Sequence, residues 1–210
     1  METVPRYALG LTPGHPVART EATGQHSRGA MLARAAVLAS SVVLMLPGAW
    51  DHSVTVVEFA QLPAGLAAWS RHSLAIYRVC GPLSKLFYAL PVHLAGVRIS
   101  YPESYDADIE SRQEWAIGQI FQDQHGKSYH SIYRWSRMTA ILVTVLAGCV
   151  VCEWSTRLYG TWPGIVSLCV WCWMPPVLAH GSLLTSDIPS ALMLLLAARC
   201  FWALLLQPRP

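Results

Sequence analysis

The stretch VLAHGSLLTSDIPSALMLLLAA, residues 177–198, joins a short polar turn to a long apolar run, with one carboxylate, Asp187, at the junction. The apolar run continues to Leu206 and is long enough to cross the hydrocarbon core of a bilayer. The whole chain has a similar character, because 53% of its 210 residues are hydrophobic and 13% are charged, about half the usual charged share. Its nine tryptophans favour membrane interfaces. The sequence therefore predicts an integral membrane protein.

Four apolar stretches predict an all-α integral membrane protein with about four transmembrane helices and a long outer loop that carries interfacial helices. The first stretch is expected to be a retained anchor rather than a cleaved signal peptide, because a long polar tail precedes it and no Ala-x-Ala cleavage site follows. The predicted spans are about 30–50, 138–154, 162–178 and 188–206, the outer loops are 51–137 and 179–187, a disordered cytoplasmic tail covers 1–29, and 207–210 form a short cytoplasmic end.

The arginines that flank the spans predict the orientation. Positive residues near the ends of spans stay on the cytoplasmic side of a membrane. This rule places the N-terminus in the cytoplasm and the loops 51–137 and 179–187 outside, so that Glu58 and Asp187 share the outer face. The arginines in question are Arg19, Arg28, Arg34, Arg157 and Arg209.

The long outer loop is mixed in character. Residues 82–97 are apolar but too short and too interrupted to span, which predicts an interfacial or re-entrant helix. Residues 53–59, SVTVVEF, also allow a strand because of their β-branched content. Residues 98–137 are expected to be a solvated loop and the start of a surface helix. Farther along, Pro175 and Pro176 should end or kink the third span.

Asp187 has two interpretations. Thr185, Ser186 and Asp187 are all good residues for the N-terminus of a helix, and Pro189 suits a first helical turn, so helix capping accounts for Asp187 without any chemistry. The alternative is that Asp187 faces a substrate at the membrane surface. His180 likewise can be an ordinary interfacial histidine.

Two classes of function are disfavoured by composition. The net charge of +3 and the lack of a basic cluster argue against nucleic-acid binding. Two Cys-x-x-Cys pairs, beginning at Cys149 and Cys169, copy the spacing of a zinc ribbon. Both pairs lie in strongly apolar sequence, where cysteine more simply acts as a small buried hydrophobe. No metal site is predicted.

The two outer loops resemble those of the polyprenol-dependent membrane glycosyltransferases, the superfamily of protein O-mannosyltransferases and aminoarabinose transferases. Three motifs carry the resemblance, which covers roughly residues 31–206, the N-terminal part of such an enzyme. The third motif, L-A-H-G-x-x-x-T-x-D shortly after a proline, is the most specific. The matching residues are Glu58, Leu62, Ala64 and Gly65; then Pro82, Leu83, Ala89, Leu90 and Pro91; then Pro176, Leu178, Ala179, His180, Gly181, Thr185 and Asp187.

The resemblance implies transfer of a sugar from a polyprenyl-phosphate donor to a protein or lipid acceptor at the outer face of the bacterial inner membrane. Phosphate is a tolerable leaving group, so the reaction mainly needs a base for the acceptor hydroxyl. Glu58 and Asp187 are the candidate catalytic residues. A cation must hold the lipid phosphate, and Arg78, Lys85 and His180 are candidates by location. The family also allows a divalent cation as a cofactor.

Two alternatives remain open. Val57 stands where the family has the aspartate of an Asp-Glu pair, and Gln61 replaces a histidine. Val57 and the end of the sequence after four predicted spans favour a non-catalytic remnant or truncated product of the family. A small transporter or channel subunit would place ionisable residues inside the spans facing a pathway, and Arg199 in the last span is the candidate for such a residue.

Overall fold

The computed structural model describes residues 28–107 and 112–206, and these residues form helices and connecting segments without a strand. A single 3-10 turn at Gly126–Ser128 joins the fifth helix to the sixth. The predicted tail and C-terminal end lie outside the described residues, except that the first helix already begins at Arg28. The helices are α1 Arg28–Asp51, α2 Val56–Arg71, α3 Pro82–Leu94, α4 Ser104–Ala107, α5 Gln113–His125, α6 Tyr129–Tyr159, α7 Thr161–Trp173, α8 Pro175–His180 and α9 Asp187–Leu206.

Within residues 28–107 and 112–206, three helical stretches are long and apolar enough to cross a membrane. They are α1, the run Gln113–Tyr159 that ends in α6, and α9. Most residues of these apolar segments lie on the surface of the protein, as expected for helices that contact lipid. The all-α membrane character predicted from composition therefore agrees with the structure at this level.

The fourth predicted span, 162–178, is divided into two short helices. Helix α7 ends at Trp173, Met174 has an extended backbone with ψ of 124°, and α8 begins at Pro175. The break predicted at the two prolines is confirmed, because proline cannot supply the N–H that would continue α7. Thirteen residues are too few for a helix to span on its own, so a fourth crossing stays a prediction.

The main hydrophobic core lies between α2, α3, α5 and α6. Helices α2 and α3 approach closely at Gly65, where a Cβ atom would lie 2.2 Å from the carbonyl oxygen of Lys85. Only glycine fits there, which gives a packing reason for one of the residues in the first motif. The two Cys-x-x-Cys pairs lie on α6 and α7, where Cys152 and Cys172 are buried against Leu168.

Two local expectations were wrong. Residues 53–59 do not form a strand: Thr55 caps α2, and the helix begins at Val56. Residues 113–137 are not a solvated segment, because Ile117, Phe121 and Tyr133 are buried in the main core. The buried residues of α5 recur at helical spacing, so an apolar stripe between charged residues could have predicted this packing.

Candidate functional site

The loop 181–186 brings together two of the predicted site residues. His180 is the last residue of α8 and Asp187 is the first residue of α9. His180 Nδ1 lies 3.4 Å from Asp187 Oδ2, and the two side chains are 48% and 65% exposed. Asp187 also places a negative charge in the first turn of α9, which favours the helix dipole. Both interpretations of Asp187 are compatible with this position, since the carboxylate is accessible at a helix N-terminus.

Three side chains from three other helices fix the backbone of this loop. Thr144 on α6 donates from Oγ1 to Gly181 O at 3.1 Å. Tyr88 on α3 donates from its hydroxyl to Thr185 O at 2.7 Å. The N–H of Leu184 donates to Glu58 Oε1 on α2 at 3.1 Å. The position of Asp187 and His180 therefore depends on residues in α2, α3 and α6.

Gly181 is held in a space that no other residue fits. A Cβ atom there would lie 2.5 Å from Val177 O and 2.7 Å from Met45 Sδ. The glycine of the His-Gly dipeptide consequently lets the chain turn between α8 and α9 against the wall formed by α1 and α6.

A buried ion pair lies behind the loop. Arg137 of α6 is 1% exposed and Glu58 of α2 is 0% exposed. The guanidinium donates from Nε to Glu58 Oε1 at 2.8 Å and from Nη2 to Oε2 at 2.6 Å. Its other N–H groups donate to Ala49 O, His52 O and Ser53 O at 3.2, 2.9 and 2.9 Å. All five guanidinium donors are therefore used.

The carboxylate of Glu58 also has several hydrogen-bond donors around it. Besides Arg137, its carboxylate accepts hydrogen bonds from the backbone N–H and the hydroxyl of Thr55, each at 3.0 Å, and from Leu184 N–H. In turn, the hydroxyl oxygen of Thr55 accepts a hydrogen bond from Glu58 N–H, which completes a capping box at the start of α2. The Glu58–Arg137 pair thus joins the end of α1, the start of α2, α6 and the loop 181–186.

These contacts set the charge state of Glu58. Burial alone raises the pKa of a carboxyl group, but hydrogen bonds from Arg137, Thr55 and Leu184 and the charge of Arg137 outweigh it, so the pKa of Glu58 lies below its ordinary value. The pKa of the Tyr88 phenol shifts in the opposite direction. Burial raises it most, and the negative charges of Asp187 and Glu58 raise it further. Tyr88 remains a neutral donor to the loop.

The remaining two predicted residues lie in or beside the segment between α2 and α3. Lys85 is buried, and its ammonium group donates to Ile76 O at 2.8 Å and to Tyr77 O at 3.1 Å. Burial lowers the pKa of Lys85. Arg78 is exposed and donates from Nε to Ala75 O at 3.0 Å. The geometry of Lys85 favours a structural role, whereas the other donors of Arg78 point to no described partner and remain available.

The described part of the chain does not provide a set of ligands for a bound metal ion. No group of three or more His, Cys, Asp or Glu side chains lies close enough together there to hold a metal ion. His180 and Asp187 would supply only two ligands. The residues at the site therefore do not fit the divalent cation that the family resemblance allows.

Sequence reasoning placed Glu58, His180 and Asp187 on one face, and the structure brings their segments into contact. It missed Arg137 and Tyr88. Arg137 lies next to a predicted span, where an arginine usually marks the membrane boundary, and Tyr88 lies within an apolar helix. What marks Arg137 as a site residue is its contact with Glu58, and what marks Tyr88 is its contact with the loop 181–186. A single sequence does not contain either contact.

No family model, curated protein or solved structure matches this chain.

Proposed function

We propose that the chain is part of a membrane glycosyltransferase that moves a sugar from a polyprenyl-phosphate donor to a hydroxyl of a protein or lipid acceptor at the outer membrane face. The observation that carries the proposal is the accessible His180–Asp187 pair at the start of an apolar helix, on a loop fixed by a buried ion pair. The proposal includes a cytoplasmic N-terminus in a bacterial inner membrane and a fourth crossing through α7 and α8.

In the proposed reaction the acceptor oxygen attacks the anomeric carbon of the sugar. The bond from that carbon to the phosphate oxygen breaks, and the polyprenyl phosphate leaves with the electron pair. Asp187 takes the proton of the acceptor hydroxyl, because its carboxylate is the accessible acid at the site. His180, 3.4 Å away, orients Asp187 and contributes a donor toward the leaving phosphate.

Glu58 takes a positioning role in this scheme. Its oxygens already accept hydrogen bonds from Arg137, Thr55 and Leu184, and its pKa is lowered, so it is a poor acceptor for a substrate proton. Through Leu184 it holds the loop that carries Asp187. A displacement of about 1 Å at this loop is enough to reduce a reaction rate about a hundredfold.

Arg78 is the proposed ligand of the donor phosphate. It is exposed on the segment 72–81, and guanidinium groups bind phosphate through two parallel hydrogen bonds. Lys85, whose ammonium is buried against two carbonyl oxygens, would support that segment from within.

A non-catalytic member of the same family is the second candidate. Val57 cannot accept a proton, and its neighbour Glu58 is committed to Arg137. In that case the loop would keep its structure and bind the lipid donor without transferring the sugar.

Lipid binding tests the proposal independently of the sugar. The protein is reconstituted in phosphatidylcholine nanodiscs, and native mass spectrometry compares the binding of undecaprenyl phosphate with that of undecaprenol. We expect the phosphate to bind at least about tenfold more tightly, and Arg78→Gln to remove most of that difference. Arg98→Gln, an exposed arginine that donates to His93 O and Val97 O, is the matched control. Equal binding of the two lipids would overturn the proposal.

Transfer itself separates the two candidates. Liposomes that contain the protein, polyprenyl-phosphate [3H]mannose and an acceptor membrane extract are followed for label leaving the lipid. The enzyme proposal predicts release by the unaltered protein and at least about a hundredfold less with Asp187→Asn. Donor-phosphate binding without Asp187-dependent release favours the non-catalytic candidate.

A further inference from the structure

A cavity lies at the end of the helix bundle opposite to the His180–Asp187 pair. Its volume is about 420 Å3, and it opens between α1, α6 and α7. Glu153, which lines it, follows Arg137 by sixteen residues on α6, a rise of about 24 Å along the helix. The cavity is therefore separate from the proposed catalytic site. The residues around it are Arg34, Leu38, Cys149, Cys152, Glu153, Thr156, Arg157 and Leu168.

This end of the bundle carries excess positive charge. Arg157 pairs with Glu153 on the same helix, and Arg199 of α9 reaches the same carboxylate at 3.1 Å. Arg34 has only a neutral partner within 28–107 and 112–206, because its Nη2 donates to Thr156 Oγ1 at 3.2 Å. Two arginines thus pair with one carboxylate and Arg34 lies on the same cavity without an acidic partner, which leaves a surplus of two positive charges among these four described side chains.

Arg34 is also incompletely satisfied. Its Nε is buried and has no hydrogen-bond partner in the described part of the chain. A buried donor without an acceptor costs about 1–3 kcal/mol. An anionic oxygen in the cavity would accept this hydrogen bond and offset the surplus charge at the same time.

The other walls of the cavity favour an amphiphile over a small ion. Leu38 and Leu168 line it together with two cysteines, so an apolar surface adjoins the arginines. Just beyond Arg157, the side chains of Tyr159 and Trp162 are 73% and 76% exposed. Exposed tyrosine and tryptophan at the end of an apolar helix are typical of the headgroup level of a bilayer.

We propose that this cavity binds the phosphodiester headgroup of an anionic membrane phospholipid. Arg34 and Arg157 contact the phosphate oxygens, and the first carbons of the acyl chains lie along the leucines. Basic pockets between membrane helices bind lipid headgroups in this way. The site does not depend on the proposed sugar transfer, because it shares no residue with it.

The test uses the whole chain in phosphatidylcholine nanodiscs doped with phosphatidylglycerol. Native mass spectrometry counts retained phosphatidylglycerol against phosphatidylcholine, and a parallel arm adds inorganic phosphate instead. We expect phosphatidylglycerol to be retained preferentially and Arg34→Gln to reduce that retention about fivefold. Arg98→Gln, which removes an exposed arginine away from this cavity, should leave retention unchanged.

Three results would overturn the proposal: no preference for phosphatidylglycerol, an equal effect of Arg34→Gln and Arg98→Gln, or displacement of the lipid by millimolar inorganic phosphate. The last result would mean that the cavity binds a free anion. The melting temperature of each variant in pure phosphatidylcholine checks its folding. If Arg34→Gln fails to fold, Arg157→Gln replaces it, since that side chain is largely exposed and the same loss of retention is expected.

Discussion

Glu58 at the start of α2 and Asp187 at the start of α9 are both acids, yet their environments are opposite. Glu58 is fully buried, and its oxygens accept hydrogen bonds from Arg137, Thr55 and Leu184. Asp187 is 65% exposed beside His180 at 3.4 Å. A residue that matches a family motif therefore does not take its role from the match alone. The saturated acid is suited to hold structure, and the accessible acid is suited to contact a substrate.

The two acids are also connected. Glu58 binds Leu184 N–H, three residues before Asp187, so the buried acid fixes the segment that presents the exposed one. Changes at Glu58 should consequently affect stability and activity together, whereas changes at Asp187 should affect activity alone.

Glu58→Gln should have the largest effect. It leaves Arg137 as a buried charge without its counter-ion, which typically costs about 3–5 kcal/mol of unfolding free energy. The apparent melting temperature in detergent, followed by circular dichroism, should fall steeply or the protein should fail to accumulate. Glu114→Gln is a matched control, because Glu114 pairs with Arg112, whose side chain is 64% exposed. This variant should lose much less unfolding free energy than Glu58→Gln. Equal losses in the two variants would contradict a special role for Glu58.

Acidification should weaken the same contact. The pKa of Glu58 is lower in the folded protein, so its stabilising contribution is present above the ordinary carboxyl pKa of about 4.3 and is lost as the pH falls through the folded value. Melting temperatures should stay nearly constant from pH 7 to about pH 5 and then fall. Glu58→Gln should make that fall shallower, and a pH dependence identical to that of the unaltered protein would argue against this assignment.

Gly181→Ala should destabilise the loop by about 1–3 kcal/mol, because the added Cβ would overlap Val177 O and Met45 Sδ. The same measurement on Gly81→Ala provides the control. A Cβ at Gly81 meets nothing within 4 Å, and the backbone φ there is −54°, which alanine adopts readily. A melting temperature for Gly181→Ala as high as that of Gly81→Ala would show that the turn has more space than the structure gives it.

Tyr88→Phe removes the hydroxyl that donates to Thr185 O at 2.7 Å while keeping the buried ring. The expected loss is about 1 kcal/mol, the usual net value of one hydrogen bond. Limited proteolysis of the loop 181–186 should become faster in this variant. Tyr105→Phe, which lies outside the loop contacts, serves as the comparison, and the idea fails if both variants are cleaved at the rate of the unaltered protein.

Asp187→Asn should have the smallest effect on stability, less than about 0.5 kcal/mol, because the side chain is exposed and asparagine also suits a helix N-terminus. Release of sugar from the lipid donor should nevertheless be lost. A large drop in melting temperature would instead identify Asp187 as a structural cap and remove the main support for its role as a base.

The sequence predicted the helical membrane character, the break before Pro175 and the proximity of the segments that carry Glu58 and Asp187. Each of these depends on a local pattern: long apolar runs, two consecutive prolines and flanking arginines. Composition and spacing are sufficient for such features.

The sequence did not predict the partner of Glu58 or the burial of α5. Arg137 precedes an apolar run, as a boundary arginine does, yet it folds inward because five acceptors are arranged around its guanidinium. That arrangement joins residues 79 positions apart and exists only after α1, α2 and α6 have packed. Lys85 was likewise expected to contact substrate, but carbonyl oxygens eight and nine residues away bind its ammonium.

Carboxyl labelling tests the contrast between the two acids most directly. The protein in native membranes is treated with a water-soluble carbodiimide and glycine ethyl ester, and mass spectrometry compares the modification of Glu58 and Asp187 before and after denaturation. We predict that Asp187 is modified in the folded protein and that Glu58 is modified only after unfolding, since it is buried against Arg137. Modification of Glu58 in the folded protein at a rate similar to that of Asp187 would contradict the account.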